Sequence, residues 1–162
     1  MIIRAAASGD AGAICAYWNP QIRDTAITFT TVEKDATGLA RTIETCLSEG
    51  RAYLVAADED DILGHATYAP FRSGPGYAFT AENTVIVAPD AWGTGVSQAL
   101  MTALEEHART AGIHSMIAGI SSENPRAVAF HEKIGYRLVA TVPEAGRKFG
   151  RWMDLVLMQK LL

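Results

Sequence analysis

Apolar positions along the chain switch between a period of two and a period near 3.6, and the switches mark its elements. Met1 to Ala5 reads as a short strand. Ser8 is placed to cap a helix with Ile14, Tyr17 and Trp18 on one side, which Pro20 should end. A threonine-rich loop with one aromatic, Phe29, runs from Ile22 to Val32. The spacing of Leu39, Ile43, Cys46 and Leu47 predicts a helix over Asp35 to Glu49, with Gly50 after its end. Tyr53 to Asp58 and Ile62 to Ala69 are strand-like runs joined by the acidic turn Glu59-Asp60-Asp61, a hairpin. A sharp connection, Pro70 to Gly76, leads to a long strand from Tyr77 to Val87. Val96, Ala99, Leu100, Ala103, Leu104 and Ala108 then make one face of a helix that stops near Gly112. Ser115 to Ile120 is β-rich, Pro125 opens a helix that reaches Lys133 before Gly135, and Tyr136 to Val142 and Arg151 to Met158 are closing strands around a loop, Glu144 to Gly150.

A strand, two helices, a meander and then strand, helix, strand, helix, strand predict the α+β class: a mixed, mostly antiparallel sheet with helices on both faces. The 162 residues fit a single domain, 1–162, large enough to bury a core. Hydrophobic residues make up 49% and charged residues 20%, which argues against disorder. A formal charge of −4 leaves no basic footprint for nucleic acid. Cys15 and Cys46 fall on helical faces among apolar neighbours and read as reduced core thiols. No signal-like segment precedes Ile2 and no apolar run nears the ~20 residues of a membrane span, so no membrane partner and a cytoplasmic location are expected.

The chain is organised around Tyr77 to Leu104, where a strand breaks at Pro89-Asp90 and two glycines open a helix. Such a turn leaves backbone N–H groups converging at the positive end of a helix dipole, either as an anion cradle or simply as a tight turn. Gly93 and Gly95 let a phosphate approach, and the first helical turn carries no acid. A dinucleotide fold is disfavoured, because Gly93 to Gln98 lacks the third glycine of that fingerprint and no ribose-binding carboxylate stands near Ser115 to Ala118.

Three side chains are candidates for chemistry or binding. Alternation puts Glu82, Thr84 and Ile86 on one face of the strand and Asn83, Val85 and Val87 on the other, so Glu82 meets solvent at a strand end or stands in a cleft as a base. Arg72 is the one cation of its loop: a solvated charge, or a grip on a carboxylate. Phe29 is a loop anchor or a substrate wall. The histidines have no ligand spacing and the cysteines no CxxC partner, so no metal is expected; no nucleophile elbow is present either.

Trp92-Gly93-Thr94-Gly95-Val96-Ser97 resembles the Arg/Gln-x-x-Gly-x-Gly/Ala loop of GNAT-type N-acetyltransferases, with the fourth-place glycine kept and the first and last positions changed. Tyr77 to Val87 resembles the Y-x-x-T-V-E-x-(S/T)-V-Y-V run of the phosphinothricin and methionine sulfoximine N-acetyltransferase branch, with Ala81 for valine and Ile86 for tyrosine. Asn124, Phe130-His131-Glu132, Gly135 and Gly146 to Asp154 resemble its N…LHE…GF…GxKxGxWxD pattern, with Ala127 where serine is common.

The resemblance implies the GNAT fold over the whole chain, acetyl-CoA as co-substrate and a small amino-acid-like acceptor. Acyl transfer to an amine needs a proton acceptor, for which it implies Glu82, and the departing thiolate takes a proton, for which His131 is the candidate. Phe29 is the candidate wall of the acceptor site. Arg72, Ser73, Gly74, Glu82, Asn83 and Thr84 are implied to line that site. Val85, Ile86 and Val87 are implied to pair with the pantetheine arm, Gly93, Thr94, Gly95, Val96, Ser97 and Gln98 to hold the pyrophosphate, and Asn124 to touch the cofactor. A homodimer is implied as well. Acetylation of protein N-termini and a non-catalytic acyl-CoA-binding module are the rival expectations.

Overall fold

The computed structural model describes residues 1–59 and 61–162. Seven strands form one sheet: β1 (Ile2–Ala5), β2 (Tyr53–Asp58), β3 (Asp61–Pro70), β4 (Thr80–Val87), β5 (Ser115–Ser121), β6 (Arg137–Lys148) and β7 (Arg151–Leu161), in the order β1-β2-β3-β4-β5-β7-β6. All neighbours are antiparallel except β4 and β5. The helices are α1 (Ala11–Asp24), α2 (Ala36–Ser48), α3 (Val96–Thr110) and α4 (Pro125–Lys133). The expected α+β sheet is thus present. The β2–β3 hairpin forms as read, with Asp60 of its turn outside the described residues.

Strand alternation divides the core in two. On one face Ala56, Ala66, Tyr68, Ala81, Val87, Met116, Ala118 and Met158 pack against Val96, Leu100, Leu104 and Ala108 of α3 and are flanked by α4. On the other, Tyr53 and Val55 meet Ile14 and Cys15 of α1 and Leu39, Ile43 and Cys46 of α2. Leu47, expected on that second face, is 37% exposed.

Several boundaries depart from the sequence reading. Pro20 lies inside α1 rather than at its end, at the cost of one backbone bond. The last turn is held instead by burial of Gln21 and Ile22, and by Gln21 Nε2, which donates to the carbonyls of Tyr17 (2.9 Å) and Val87 (3.2 Å). Ser8 starts a short 3-10 turn before α1 and makes no side-chain cap. Pro75 to Tyr77 is also a 3-10 turn, so β4 begins at Thr80 and not Tyr77. The expected loop from Glu144 to Gly150 is largely strand: β6 runs to Lys148 and turns to β7 through Phe149 and Gly150, both at positive φ (53° and 74°). Paired positive φ values make a tight hairpin turn, and Phe149 is an unusual residue for it, which hid the turn from the sequence.

The β4–β5 junction decides where the site lies. The two strands pair only from Thr80 to Asn83 against Ser115 to Ala118. Beyond Asn83 β4 remains paired with β3 through Val87, while its other edge meets no strand among the described residues and the Val87 carbonyl is taken by side chains, Gln21 Nε2 and Trp92 Nε1. The sheet therefore forks within its own plane. At the fork Asn83 Nδ2 donates to the Ile117 carbonyl (3.1 Å) and to Tyr136 Oη (3.2 Å), a side-chain continuation of the ladder.

Candidate active site

A cavity of about 410 Å³ opens at the fork and is lined from both faces of the sheet. Glu82, Gly119, Phe29 and Leu155 contribute from the α1 side, and Ser97, Asn124, Ala127, Phe130 and His131 from the α3 and α4 side, with Thr84 to Val87 between them. A groove that passes through the sheet can bring two molecules together from opposite faces.

Glu82 accepts no hydrogen bond and faces no cation among the described residues, and partial burial pushes its carboxyl above the ordinary value. Its space exists because residue 119 is glycine: a β-carbon there would stand 2.6 Å from Glu82 Oε1. Gly119 was missed in the sequence, although a glycine inside a β-rich run signals a close approach. Phe29 lines the same wall, laid flat on Gly146 of β6, where a β-carbon would meet its ring at 2.4 Å. Its loop is held by Lys148. That buried ammonium donates to the carbonyls of Ile22, Thr25 (2.7 Å) and Thr28 (3.0 Å), and burial lowers its pKa from the usual 10.5. Lys148 thus pins the end of α1 and the loop that carries Phe29 to β6.

The glycine turn suits an anion. Gly93 and Gly95 have φ of 80° and 91°, and nothing lies within 4 Å of a β-carbon built on either. The amides of Gly93, Gly95, Val96, Ser97 and Gln98 take no partner among the described residues, so several N–H groups converge at the α3 N-terminus. The Val96 side chain is buried in the core, so Val96 offers the turn only its amide, while Thr94 is spent on the Ala91 carbonyl through both Oγ1 (2.7 Å) and its own amide (3.4 Å). Gln98 is exposed beside the turn. Asn124 lines the cavity and caps α4, its Oδ1 accepting from Ala127 N–H (3.2 Å).

The expected site residues are not all brought together in one way. The buried Asn83 side chain lines the cavity, with Nδ2 donating within the fork to the Ile117 carbonyl and Tyr136 Oη. Arg72, Ser73 and Gly74 lie on a separate hollow of about 480 Å³ with Tyr68, Tyr77 and Ile113, apart from Glu82. His131 is buried with Nδ1 2.8 Å from the Ala127 carbonyl; a carbonyl only accepts, so the proton is on Nδ1. Burial also lowers its pKa, and the bare Nε2 has no partner. A neutral ring in that tautomer is the wrong form to protonate a thiolate.

Residues 3–157 match the Acetyltransferase (GNAT) domain family. The chain belongs to the GNAT acetyltransferases. In keeping with this GNAT assignment, an L-methionine sulfoximine/L-methionine sulfone acetyltransferase of Pseudomonas aeruginosa is 34% identical over 97% of this chain and 92% of its own length. Two solved structures superpose with a TM-score of 0.95 over 100% of this chain. One is a ribosomal-protein-alanine N-acetyltransferase from Brucella melitensis, 34% identical and covered over 100% of its length. The other is the acetyltransferase yncA from Salmonella typhimurium with its cofactor acetyl-CoA, 33% identical and covered over 94%. The chain is therefore an N-acetyltransferase of GNAT type. The residues found here fit an acyl-CoA: free amides for a diphosphate, and an open strand edge leading from them to a carboxylate.

Proposed function

We propose that the chain moves the acetyl group of acetyl-CoA to the α-amine of a small amino-acid-like acceptor, with methionine sulfoximine, methionine sulfone and phosphinothricin as leading candidates. The observation that carries this reading is the unpaired carboxylate of Glu82 in the fork, over Gly119 and beside Phe29. A carboxyl whose pKa burial raises is, once ionised, a better proton acceptor than a free one. The amine gives its proton to Glu82 and its nitrogen forms the new bond to the thioester carbonyl carbon. The carbon–sulfur bond then breaks and CoA leaves as a thiolate, which an ordinary thiol pKa of ~8.5 permits near neutrality. His131 positions the helix and offers Nε2 as an acceptor. Acetyl-CoA supplies the activated acyl group, held by Gly93 to Gln98, Asn124 and the edge of β4 over Val85 to Val87, where the Val87 carbonyl is already taken by Gln21 and Trp92.

The test is free-thiol release from acetyl-CoA across amino acids and their sulfone, sulfoximine and phosphinyl analogues. Release with these small acceptors is expected. Silence across the panel, with acetylation of peptide N-termini seen by mass spectrometry, would replace this reading by the second one, which the likeness to the Brucella enzyme favours.

We further infer a homodimer in the cytoplasm. The edge strand β6 exposes Leu138, Val139 and Val142, and Trp152 is exposed further along the β6–β7 hairpin, an apolar rim that a second copy would cover. Two buried free thiols suit a reducing compartment. Light scattering that gives a monomer mass would refute the dimer.

A further inference from the structure

The phosphate turn carries no cation of its own from Trp92 to Gln98. One is supplied from another element. Arg126 of α4 lines the same cavity, and its guanidinium carbon lies 3.6 Å from the centre of the Trp92 ring. The indole is fixed in turn, since Trp92 Nε1 donates to the Val87 carbonyl (3.1 Å). Trp92 thus acts as a rail on which a planar cation rests across the mouth of the cleft.

Two further facts say what that cation is for. Arg126 stands in the first turn of α4, after Asn124 and Pro125, where the helix dipole repels positive charge. It also has no ion-pair or hydrogen-bond partner among the described residues: Glu123, its nearest acid in sequence, is committed to Arg151, which holds it with two guanidinium nitrogens. The N-termini of α3 and α4 and an unpaired guanidinium therefore meet at one corner of a chain whose net charge is −4. Such a corner is complete only with an anion in it.

We infer that Arg126, shelved on Trp92, grips the diphosphate of the CoA donor and supplies the charge that the glycine turn lacks. The claim rests on acetyl-CoA being the donor. Arg126 is a binding residue here, and the fork contains no other arginine or lysine among its lining residues.

Calorimetric titration of the full chain with CoA tests it without any acceptor present. Arg126→Ala should weaken CoA roughly tenfold or more, the usual worth of a charge-assisted pair to phosphate. Pantetheine, which has the thiol and the arm but no phosphate, should bind both proteins alike. 3′-Dephospho-CoA should suffer the same loss as CoA; a loss that disappears with it would move the guanidinium to the 3′-phosphate and overturn the diphosphate assignment. Trp92→Arg placed in the Arg126→Ala background should recover most of the affinity, because it returns a cation to the same corner. Arg126→Gln, which keeps an exposed polar side chain, guards against loss of fold and should weaken CoA equally. CoA affinity unchanged in both Arg126 variants would overturn the inference and leave the donor standing, whereas a native chain that takes up no CoA would bring down both.

Discussion

The carboxylate of Glu82 fills the place of the side chain that Gly119 does not have, 2.6 Å from where a β-carbon would sit. A methyl group at 119 therefore has to push the acid aside. Gly119→Ala should lower kcat/KM for the acceptor by roughly tenfold to a hundredfold, in line with the sensitivity of proton transfer to displacements of about 1 Å. The KM for acetyl-CoA should hardly move. Steady-state kinetics in both substrates would check this, and full activity in the alanine variant would contradict the placement of the acid.

Glu82→Gln separates chemistry from stability. Burial raises the Glu82 pKa, so the folded protein prefers the neutral carboxyl, and the ionised form carries a desolvation cost that grows as pH rises through the folded value. An amide has no such cost. The variant should lose at least ~100-fold in kcat/KM, the range of a general base, and should melt at an equal or higher temperature at pH 7. In the native enzyme kcat/KM should fall as pH drops through the raised Glu82 value, and should also rise on the alkaline side as the amine deprotonates. A flat profile would remove the base.

Lys148 ties three carbonyls together from β6. Lys148→Met keeps the length and the apolar stem and removes every donor. It should destabilise the fold by roughly 2–4 kcal/mol, since buried acceptors are left unpaired. Chemical denaturation gives the size. Hydrogen exchange should show the extra opening in residues 22–31, and the acceptor KM should rise with it.

Phe29 rests on Gly146 as closely as Glu82 rests on Gly119. A side chain at 146 must lift the ring, with the backbone itself unstrained because β6 is extended there. Gly146→Val should raise the acceptor KM severalfold and leave CoA binding intact. The same substitution should change the rank order of acceptors, which a panel of amino-acid analogues would read.

Buried histidines set the acid limit. His65 is fully buried with Nδ1 2.7 Å from Tyr17 Oη, and burial lowers its pKa to about 3. His131 is lowered for the same reason. The unfolded chain thus binds protons near pH 6.5 that the folded one refuses, so stability should fall as pH drops below 6.5, by up to about 1.4 kcal/mol per pH unit for each histidine. Urea unfolding between pH 6.5 and 5, above the range of ordinary carboxylates, would isolate the effect. His65→Phe should flatten part of the slope.

Much of this was legible in the chain. Periodicity placed α3, α4 and the hairpin within a residue or two, because each is bounded by glycine or proline and has one apolar face. Alternation put Glu82 and Asn83 on opposite faces, as the sheet has them. What failed was set by distant partners. Pro20 is tolerated through Gln21 and the carbonyl of Val87, 66 positions away, and no local rule sees that. The second half of β6 was hidden by a turn built on Phe149. Arg72 is singled out by its charge and by the resemblance, and folding sets it on a hollow apart from Glu82, while Arg126, which no motif singles out, lies on Trp92.

The gap between β4 and β5 lies inside the sheet and not at its rim, which bears on aggregation as well as on turnover. Unsatisfied amides on an outer strand would recruit another polypeptide, but neighbours on both sides shield these, and only a thin, flexible thread can reach them. Such a thread enters without first melting a ladder, so the enzyme keeps its stickiest backbone in reserve for one slender guest.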